Sequence, residues 1–343
     1  MITVLAAIVA LLAPPTATAQ VPFRLAVYHA GLGRDGPGLL LRDIRRRAAD
    51  VIAARDAVAA LHPDALLLLD IDHDRDGLAL AAFAALLAEA GQPMPHALAP
   101  RPNSGMATAL DLDGDGRRGT ADDAQGWGRF AGAGGMALLS RVPIRRETLR
   151  DHSGFLWRDL PGARLPRVAG QVFPSDAVFA VQRLSSTGHW EVTLDTRAGP
   201  LTLMAWHAGP PVFGGPHQRN HNRNADETAF WRYRLDGAFG PLPPAFVLVG
   251  DSNLDPDAGA GERAEMAALL AHPAIRDPAP SGLQPGADAP SRATAFWPDG
   301  PGALRVDYLL PSANLTVRAS GVIWPAPEAR HAIVWADLLL SPP

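Results

Sequence analysis

Apolar side chains recur with two different spacings along residues 23–90, and each spacing predicts a different kind of element. Phe23–Tyr28 and Ala65–Leu69 are short apolar runs typical of strands, and the second is apolar at every position, as in a strand buried on both faces. Leu39–Leu61 and Gly77–Ala90 instead repeat their apolar residues at helical spacing. The beginning of the chain therefore predicts the order strand, helix, strand, helix.

Beyond residue 90 the pattern changes to short apolar segments that are separated by glycine and proline. Many short strands and few helices predict two sheets that pack face to face, with helices outside. The expected fold is of the α/β class, a four-layer α/β/β/α sandwich of two packed mixed sheets with outer helices. The predicted strands are Gly135–Leu139, Gln182–Ser186, Trp190–Leu194, Leu201–Trp206, Phe246–Val249, Arg305–Leu310 and Ile333–Leu338, and the predicted helices are Ala225–Leu235 and Gly261–Ala271.

Composition narrows the chemistry that this fold can carry. Of the 343 residues, 47% are hydrophobic and 19% are charged, which is typical of a globular chain. The net charge of −4 gives no general affinity for nucleic acid, so such binding would need a local basic patch. Because the chain has no cysteine, any metal site must use carboxylate, amide or imidazole ligands, which suit Mg²⁺, Ca²⁺ or Mn²⁺.

The N-terminal segment has the pattern of a secretory signal. Val4–Ala13 is an apolar run too short to span a bilayer, and Ala17-Thr18-Ala19 is a small-residue cleavage pattern. We therefore predict a signal peptide at residues 1–19 and one domain at residues 20–343. The protein would then be exported, either periplasmic or secreted, with no stable membrane insertion after cleavage. An uncleaved anchor helix is the alternative, since Met1–Thr3 has no Lys or Arg.

The most informative motif follows the apolar strand Phe246–Val249. Gly250 allows a sharp turn or the close approach of a ligand, and Asp251 and Asn253 come directly after it. A carboxylate and an amide two residues apart at a strand end can reach the same bound group. An ordinary Asx-turn after a strand is the alternative interpretation.

This segment resembles the Gly-Asp-x-Asn signature of the endonuclease/exonuclease/phosphatase superfamily, the deoxyribonuclease-I-like proteins. That superfamily includes pancreatic-type deoxyribonuclease, abasic-site endonucleases, inositol polyphosphate phosphatases and bacterial sphingomyelinases. Further segments resemble its other motifs in the expected order, and together they span Phe23–Leu338. These segments are Gly135–Ile144, Leu201–His207, Arg305–Leu310 and Ala329–Val334.

The resemblance implies metal-dependent hydrolysis of phosphate esters, with a preference for phosphodiesters, by a water molecule that a histidine activates. Here the general base would be His331, held by Asp307. Asp251 with Asn253 would position the water or the leaving group, and His207 would stabilise charge on the phosphoryl oxygens. We expect a monomer whose partner is a phosphate-ester substrate, with nucleic acid as one candidate.

Three positions depart from the pattern that the resemblance leads us to expect. Asp70 replaces the metal-binding Glu and would hold Mg²⁺ or Mn²⁺ through a carboxylate that is one methylene shorter. His29 replaces an Asn and could contact substrate or add an imidazole to the metal sphere, favouring a transition metal. Arg330 replaces an Asp and could clamp a phosphate oxygen. A non-catalytic, calcium-stabilised exported binding protein with a degenerate hydrolase site is the alternative function.

One further segment is a candidate for substrate binding. Arg223 lies in the polar, cationic stretch Arg219–Asn224 before the predicted helix, and could line an anion pocket. A solvated loop is the alternative.

A second metal site is predicted in the segment Asp111–Asp122. Asp111, Asp113, Asp115 and Asp122 occupy positions one, three, five and twelve of a calcium-loop pattern, with Gly116 at position six. Neighbouring carboxylates repel one another unless a cation is bound. We expect Ca²⁺ here, with a solvated acidic turn as the alternative.

Overall fold

A computed structural model describes residues 21–340, which form fifteen strands, six α-helices and two short 3₁₀ segments. In chain order the elements are β1 (Val21–Leu32), α1 (Leu39–Arg45), α2 (Ala49–Leu61), β2 (Ala65–Ile71), α3 (Leu78–Glu89), β3 (His96–Leu98), β4 (Gly135–Ser140), β5 (Ile144–Asp151), β6 (Arg167–Val168), β7 (Gln171–Val172), α4 (Asp176–Phe179), β8 (Gly188–Thr196), β9 (Gly199–His207), α5 (Arg219–Leu235), β10 (Phe246–Asp251), α6 (Arg263–Leu270), β11 (Ala295–Trp297), β12 (Gly302–Leu304), β13 (Asp307–Pro311), β14 (Thr316–Ile323) and β15 (Ile333–Leu340).

Two large mixed sheets dominate the structure. One has six strands in the order β14-β15-β1-β2-β4-β3, and the other has five in the order β13-β10-β9-β8-β5. In the first sheet β1 runs parallel to β2 and antiparallel to β15. In the second, β10 runs parallel to β9 and antiparallel to β13. This arrangement of two mixed sheets with helices confirms the predicted fold class.

Alternate residues of the central strands face different apolar cores. Leu67 and Leu69 of β2 pack between the sheets, against residues of the facing sheet such as Val249. Leu66 and Leu68 point the other way and pack under α1, α2 and α3. On the outer face of the second sheet, Met204, Leu248 and their neighbours are covered by α5 and α6. A strand buried on both faces must be apolar throughout, which explains the unbroken run in β2.

The predicted helix Leu39–Leu61 is wrong in one respect, because the chain forms two helices there. They are α1 and α2, and Arg47 between them has φ 55°. That left-handed conformation interrupts helical hydrogen bonding although the apolar spacing continues across it. Apolar periodicity shows which face is buried and does not show this break.

The predicted strand Gln182–Ser186 is also wrong. Arg183 forms only an isolated bridge with Leu156. Backbone N–H groups of the segment donate to a loop carbonyl and to the Gln125 side chain instead of a sheet neighbour. Its buried apolar residue, Leu184, belongs to the core beneath α5.

The predicted export of the protein is not tested by the described residues. The predicted signal at residues 1–19 and the domain boundary at residue 20 lie outside the described part of the chain. Within residues 21–340, no helix has both the length and the apolarity needed to cross a bilayer.

Candidate active site

Three neighbouring strands of the five-stranded sheet place three of the predicted catalytic residues side by side. Asp251, the last residue of β10, is directly opposite His207 of β9 and directly opposite Asp307 of β13. Parallel strands end at the same edge of a sheet, so β9 and β10 deliver their last side chains to one place. The register alone therefore brings Asp251 beside His207, 44 positions earlier in the sequence, and Asp307, 56 positions later.

The glycine before Asp251 is required by the neighbouring strand. Gly250 has φ 154°, and a Cβ at this position would lie 1.9 Å from the carbonyl oxygen of Trp206. The sequence predicted that a glycine here lets a ligand approach. In the structure, the glycine is instead required by the close packing of β10 against β9. Without a side chain, β10 can approach β9 closely enough for Asp251 to align with His207.

His331 and Asp307 form a buried dyad. The His331 Nδ1–H donates a hydrogen bond of 2.9 Å to Asp307 Oδ2, and the two residues are only 5% and 1% exposed. Burial alone would lower the pKa of His331, but the negative charges of Asp307, Asp251 and Asp70 and the Asp307 hydrogen bond outweigh it and raise the pKa. Because Nδ1 is occupied, Nε2 is the nitrogen that can act on a water.

Two side chains that sequence reasoning missed support this dyad. The Thr294 hydroxyl oxygen accepts hydrogen bonds from the backbone N–H groups of Val306 and Asp307, at 3.0 and 2.9 Å. Trp297 places its ring edge against His331, with ring centroids 5.5 Å apart. Both precede β13 in a proline- and glycine-rich stretch, and the only available signal was the aromatic pair Phe296-Trp297 within it.

His29 joins the cluster from the other sheet. The antiparallel pairing of Tyr28 with Ile333 sets His29 beside the segment that carries His331. The two imidazoles stack with centroids 4.0 Å apart and planes 13° apart, and His29 meets His207 edge-on at 5.2 Å. Burial, and then the charge of His331, lower the pKa of His29 to about 4. His29 is therefore neutral near pH 7, with a ring nitrogen available as a ligand.

Asp251 has one carboxylate oxygen in use and one free. Its Oδ1 accepts the backbone N–H of Asn253 at 2.6 Å, while Oδ2 is buried without a hydrogen-bond partner, 3.8 Å from His207 Nε2. Burial, followed by repulsion from Asp307, raises the pKa of Asp251 well above its usual range. Asn253 has φ 52° and donates its side-chain N–H to the Ala208 carbonyl, which leaves its amide oxygen as an acceptor.

The donors of this cluster suit a divalent cation. His29, His207 and Asp251 offer ligand atoms within 4.8 Å of one another, and so do Asp251, Asp307 and His331. Asp70, the predicted metal carboxylate, belongs to no such group of three within residues 21–340. Its carboxylate lies in a notch where a Cβ on Gly33 or Gly134 would come within 2.6 or 2.7 Å of Oδ1.

The two arginines predicted to bind substrate lie in different environments. Arg223 is buried in α5, and its guanidinium donates to the carbonyl oxygens of Leu184, Gln125, Arg183 and Ser185. Those bonds hold Nε and Nη2 on backbone carbonyls, and a substrate role for Arg223 stays a prediction. Arg330 is exposed beside His331, and the described residues give its guanidinium no hydrogen bond or ion pair. Its role as a phosphate clamp stays a prediction.

The acidic loop forms a separate cluster. Asp111, Asp113 and Asp115 bring carboxylate oxygens within 4.8 Å of one another. Asp111 accepts the N–H groups of Gly114 and Gly116, which holds the turn in shape. Asp122 is exposed and is not part of this group of three. The structure thus gathers three of the four predicted calcium ligands.

Comparison with known proteins identifies the family. The Endonuclease/Exonuclease/phosphatase family matches residues 29–335, which is most of the chain, and the chain belongs to that family. Members of the family are phosphoric ester hydrolases that usually use divalent metals.

Solved structures support the same fold. An endonuclease/exonuclease/phosphatase from Beutenbergia cavernae has 18% identity and a TM-score of 0.56, with 93% of this chain and 72% of that chain covered. An endonuclease/exonuclease/phosphatase family protein from Leptotrichia buccalis has 12% identity and a TM-score of 0.52, with coverages of 92% and 99%. No curated protein matches the chain.

Proposed function

We propose that this protein hydrolyses phosphodiesters by in-line attack of a water molecule that His331 deprotonates. The observation that carries the proposal is the buried His331–Asp307 dyad beside Asp251 and His207. Asp307 fixes the imidazole orientation and stabilises the imidazolium that forms when Nε2 takes the proton. The same dyad in a solvated setting would be an ordinary surface ion pair.

His207 and Asp251 would act on different oxygen atoms during the same reaction. A phosphodiester carries negative charge on its non-bridging oxygens, and His207 can donate a hydrogen bond toward them. Burial, followed by the charges of His29 and His331, lowers the pKa of His207 well below its usual value, so the imidazole is neutral. Asp251 has a free buried oxygen, which can hold the attacking water or, when protonated, donate to the leaving oxygen. Asn253 restrains Asp251 through its backbone N–H.

A divalent cation would neutralise part of the phosphate charge. Within the described residues, no arginine forms an ion pair with Asp251 or Asp307, so the protein itself contributes carboxylates and imidazoles to this cluster. A monoester dianion needs more positive charge than a diester monoanion. This charge balance, together with the family, supports diesters as the substrate class.

The activity can be tested with a chromogenic diester. Bis(p-nitrophenyl) phosphate, p-nitrophenyl phosphate and DNA are incubated with the protein and with Mg²⁺, Mn²⁺, Zn²⁺, Ca²⁺ or EDTA. We expect hydrolysis of the diester that depends on a divalent ion and exceeds hydrolysis of the monoester. Folded protein without turnover under any of these conditions would contradict the proposal and favour the non-catalytic binding protein.

We also propose that the loop with Asp111, Asp113 and Asp115 binds Ca²⁺ and stabilises the fold. A site of the kind found in extracellular modules has a Kd on the order of 10⁻⁴–10⁻³ M. At 10-fold to 100-fold excess over Kd, binding to the native state stabilises it by about 1.4–2.7 kcal/mol. Differential scanning calorimetry with and without Ca²⁺ should show the corresponding rise in Tm.

The test variant for the calcium prediction is Asp113→Asn, and its matched control is Asp159→Asn, since Asp159 is an acidic residue outside the loop. The rise in Tm should disappear in the first variant and persist in the second. An equal rise in both variants would place the calcium effect elsewhere.

A further inference from the structure

Within residues 21–340, one group of possible metal ligands at the candidate active site contains more imidazole than Mg²⁺ prefers. Mg²⁺ prefers oxygen ligands in octahedral geometry and binds through one or two carboxylates with several waters. Asp70 is the carboxylate at the expected position, but no two other His, Asp or Glu side chains among residues 21–340 form a group of three with it. One of the two groups of possible ligands at the strand ends contains two imidazoles.

That grouping consists of one residue from each of three strands. His29 comes from β1, His207 from β9 and Asp251 from β10, and their ligand atoms lie within 4.8 Å of one another. Asp251 Oδ2 is buried without a hydrogen-bond partner and lies 3.8 Å from His207 Nε2. Asp251 is fully buried and His207 is 9% exposed, so water does not replace the missing partners freely. A buried carboxylate oxygen without a partner, facing an imidazole nitrogen, is a feature of an ion-binding site.

We propose that His29, His207 and Asp251 bind a divalent transition-metal ion of the Zn²⁺, Co²⁺ or Mn²⁺ class. Two imidazoles and one carboxylate are a ligand set of catalytic zinc sites, which keep a further position open. Imidazole ligands favour first-row transition metals over Mg²⁺. The proposal extends the proposed function and rests on it for the role of the ion, which would neutralise charge on the phosphoryl oxygens.

The position of His29 supports this assignment independently of the other two residues. It is held on both sides, stacked on His331 at 4.0 Å and edge-on to His207 at 5.2 Å. An imidazole confined in this way loses little freedom when it takes up an ion, since its orientation is already fixed. His29 also lies on the opposite sheet from His207 and Asp251, so an ion here would tie the two sheets together.

The direct test is binding of Co²⁺, which absorbs visible light when bound to nitrogen and oxygen ligands. The measurement uses the Asp113→Asn protein, so that the acidic loop does not contribute, and equilibrium dialysis supplies affinities for Co²⁺, Zn²⁺ and Mg²⁺. We expect one tightly bound Co²⁺ or Zn²⁺ per chain and much weaker Mg²⁺. His29→Asn should weaken Co²⁺ binding by at least about 100-fold, since even the loss of an outer partner of a metal ligand costs 10-fold to 100-fold.

Two further variants make the result specific. Asp251→Asn keeps the side-chain shape and should also weaken Co²⁺ binding, while His96→Asn on the edge strand β3 should leave it unchanged. Thermal unfolding of each variant shows whether it is folded. Co²⁺ binding that is unchanged in folded His29→Asn, or that is no tighter than Mg²⁺ binding, would overturn the proposal.

Diester hydrolysis in the same samples separates this proposal from the proposed function. Diester turnover in the parent protein together with Co²⁺ binding that is unchanged in His29→Asn would refute the transition-metal site and leave the hydrolase in place. A His29-dependent Co²⁺ spectrum without any turnover would support the site and refute the hydrolase.

Discussion

His331→Ala should lower kcat/KM for bis(p-nitrophenyl) phosphate by about 10²–10⁴-fold, the range that a positioned general base contributes. His331 is the one imidazole in the cluster whose Nδ1 is fixed by a carboxylate, at 2.9 Å from Asp307. Its loss removes the base and also the imidazolium whose charge Asp307 stabilises. Steady-state kinetics at fixed metal concentration, with the metal that gives the highest turnover, measure the effect.

Asp307→Asn tests the other half of the dyad without changing its size. An amide nitrogen in place of Oδ2 would no longer accept the His331 Nδ1–H, so the imidazole would lose its preferred tautomer and orientation. We expect a loss of kcat comparable to that of His331→Ala, with a small change in KM. Adding the second substitution to the first should reduce activity little further, because residues that act as one unit are not additive.

His96→Ala is the matched control for histidine loss outside the site. Its side chain lies on a short edge strand and should not affect turnover. Activity in His331→Ala that equals the activity of this control would exclude His331 as the base, and attention would then move to the other carboxylates of the cluster.

Much of this site could be anticipated from the sequence because it depends on strand ends. Apolar runs predict β9, β10 and β13 nearly at their observed bounds, and polar residues at the ends of neighbouring strands meet at one edge. The motif after β10 was the strongest of these signals. Its partners His207 and Asp307 were assigned from the resemblance to the superfamily, and in the structure strand pairing sets both beside Asp251.

Contacts between the two sheets could not be predicted in the same way. The edge-on contact of His29 with His207 depends on how one sheet lies over the other, and a local pattern contains no information about that distance. The role of Asp70 as a metal ligand, which its place in the sequence suggested, stays a prediction. Its Oδ1 lies against Gly33 and Gly134, and its negative charge acts on His29 and His331.

Helix α5 was predicted six residues too short for a physical reason. Its first turns, Arg219–Asn224, are polar and were interpreted as a loop or an anion pocket. In the folded chain the Arg223 guanidinium is buried and bonded to backbone carbonyls, which a polarity pattern cannot distinguish from exposure to solvent. Helices with buried charges are therefore the elements that sequence patterns describe least well.

Helix α5 also contributes one member of a buried ion pair on which stability should depend strongly. Arg234 of α5 and Glu191 of β8 are 0% and 3% exposed in their side chains. Arg234 Nε and Nη2 donate to the two carboxylate oxygens of Glu191 at 2.7 and 3.1 Å, and Arg234 also donates to the carbonyls of Gly240 and Pro241. The pair joins the helix layer to the second sheet.

Arg234→Ala should lower the free energy of unfolding by about 3–5 kcal/mol, because it leaves Glu191 charged and buried without its partner. Urea unfolding followed by circular dichroism measures the loss. The double variant Arg234→Met with Glu191→Leu should be less destabilised than Arg234→Ala, since no unpaired charge remains. Arg47→Ala should change stability by at most about 0.5 kcal/mol, because its pair with Glu89 is half exposed.

The dependence on pH provides a second test of the same pair. Burial alone would raise the pKa of Glu191, but hydrogen bonds from His152 and Arg234 and the charge of Arg234 lower it from 4.5 to about 2. A carboxyl whose pKa is lowered on folding stabilises the native state above its unfolded pKa. That contribution is lost as the pH falls from about 4.5 toward 2. The stability difference between the parent protein and Glu191→Gln should therefore narrow across this interval, because protonated Glu and Gln are both neutral. A difference that stayed constant with pH would mean that Glu191 is not the group whose charge holds α5 to the sheet.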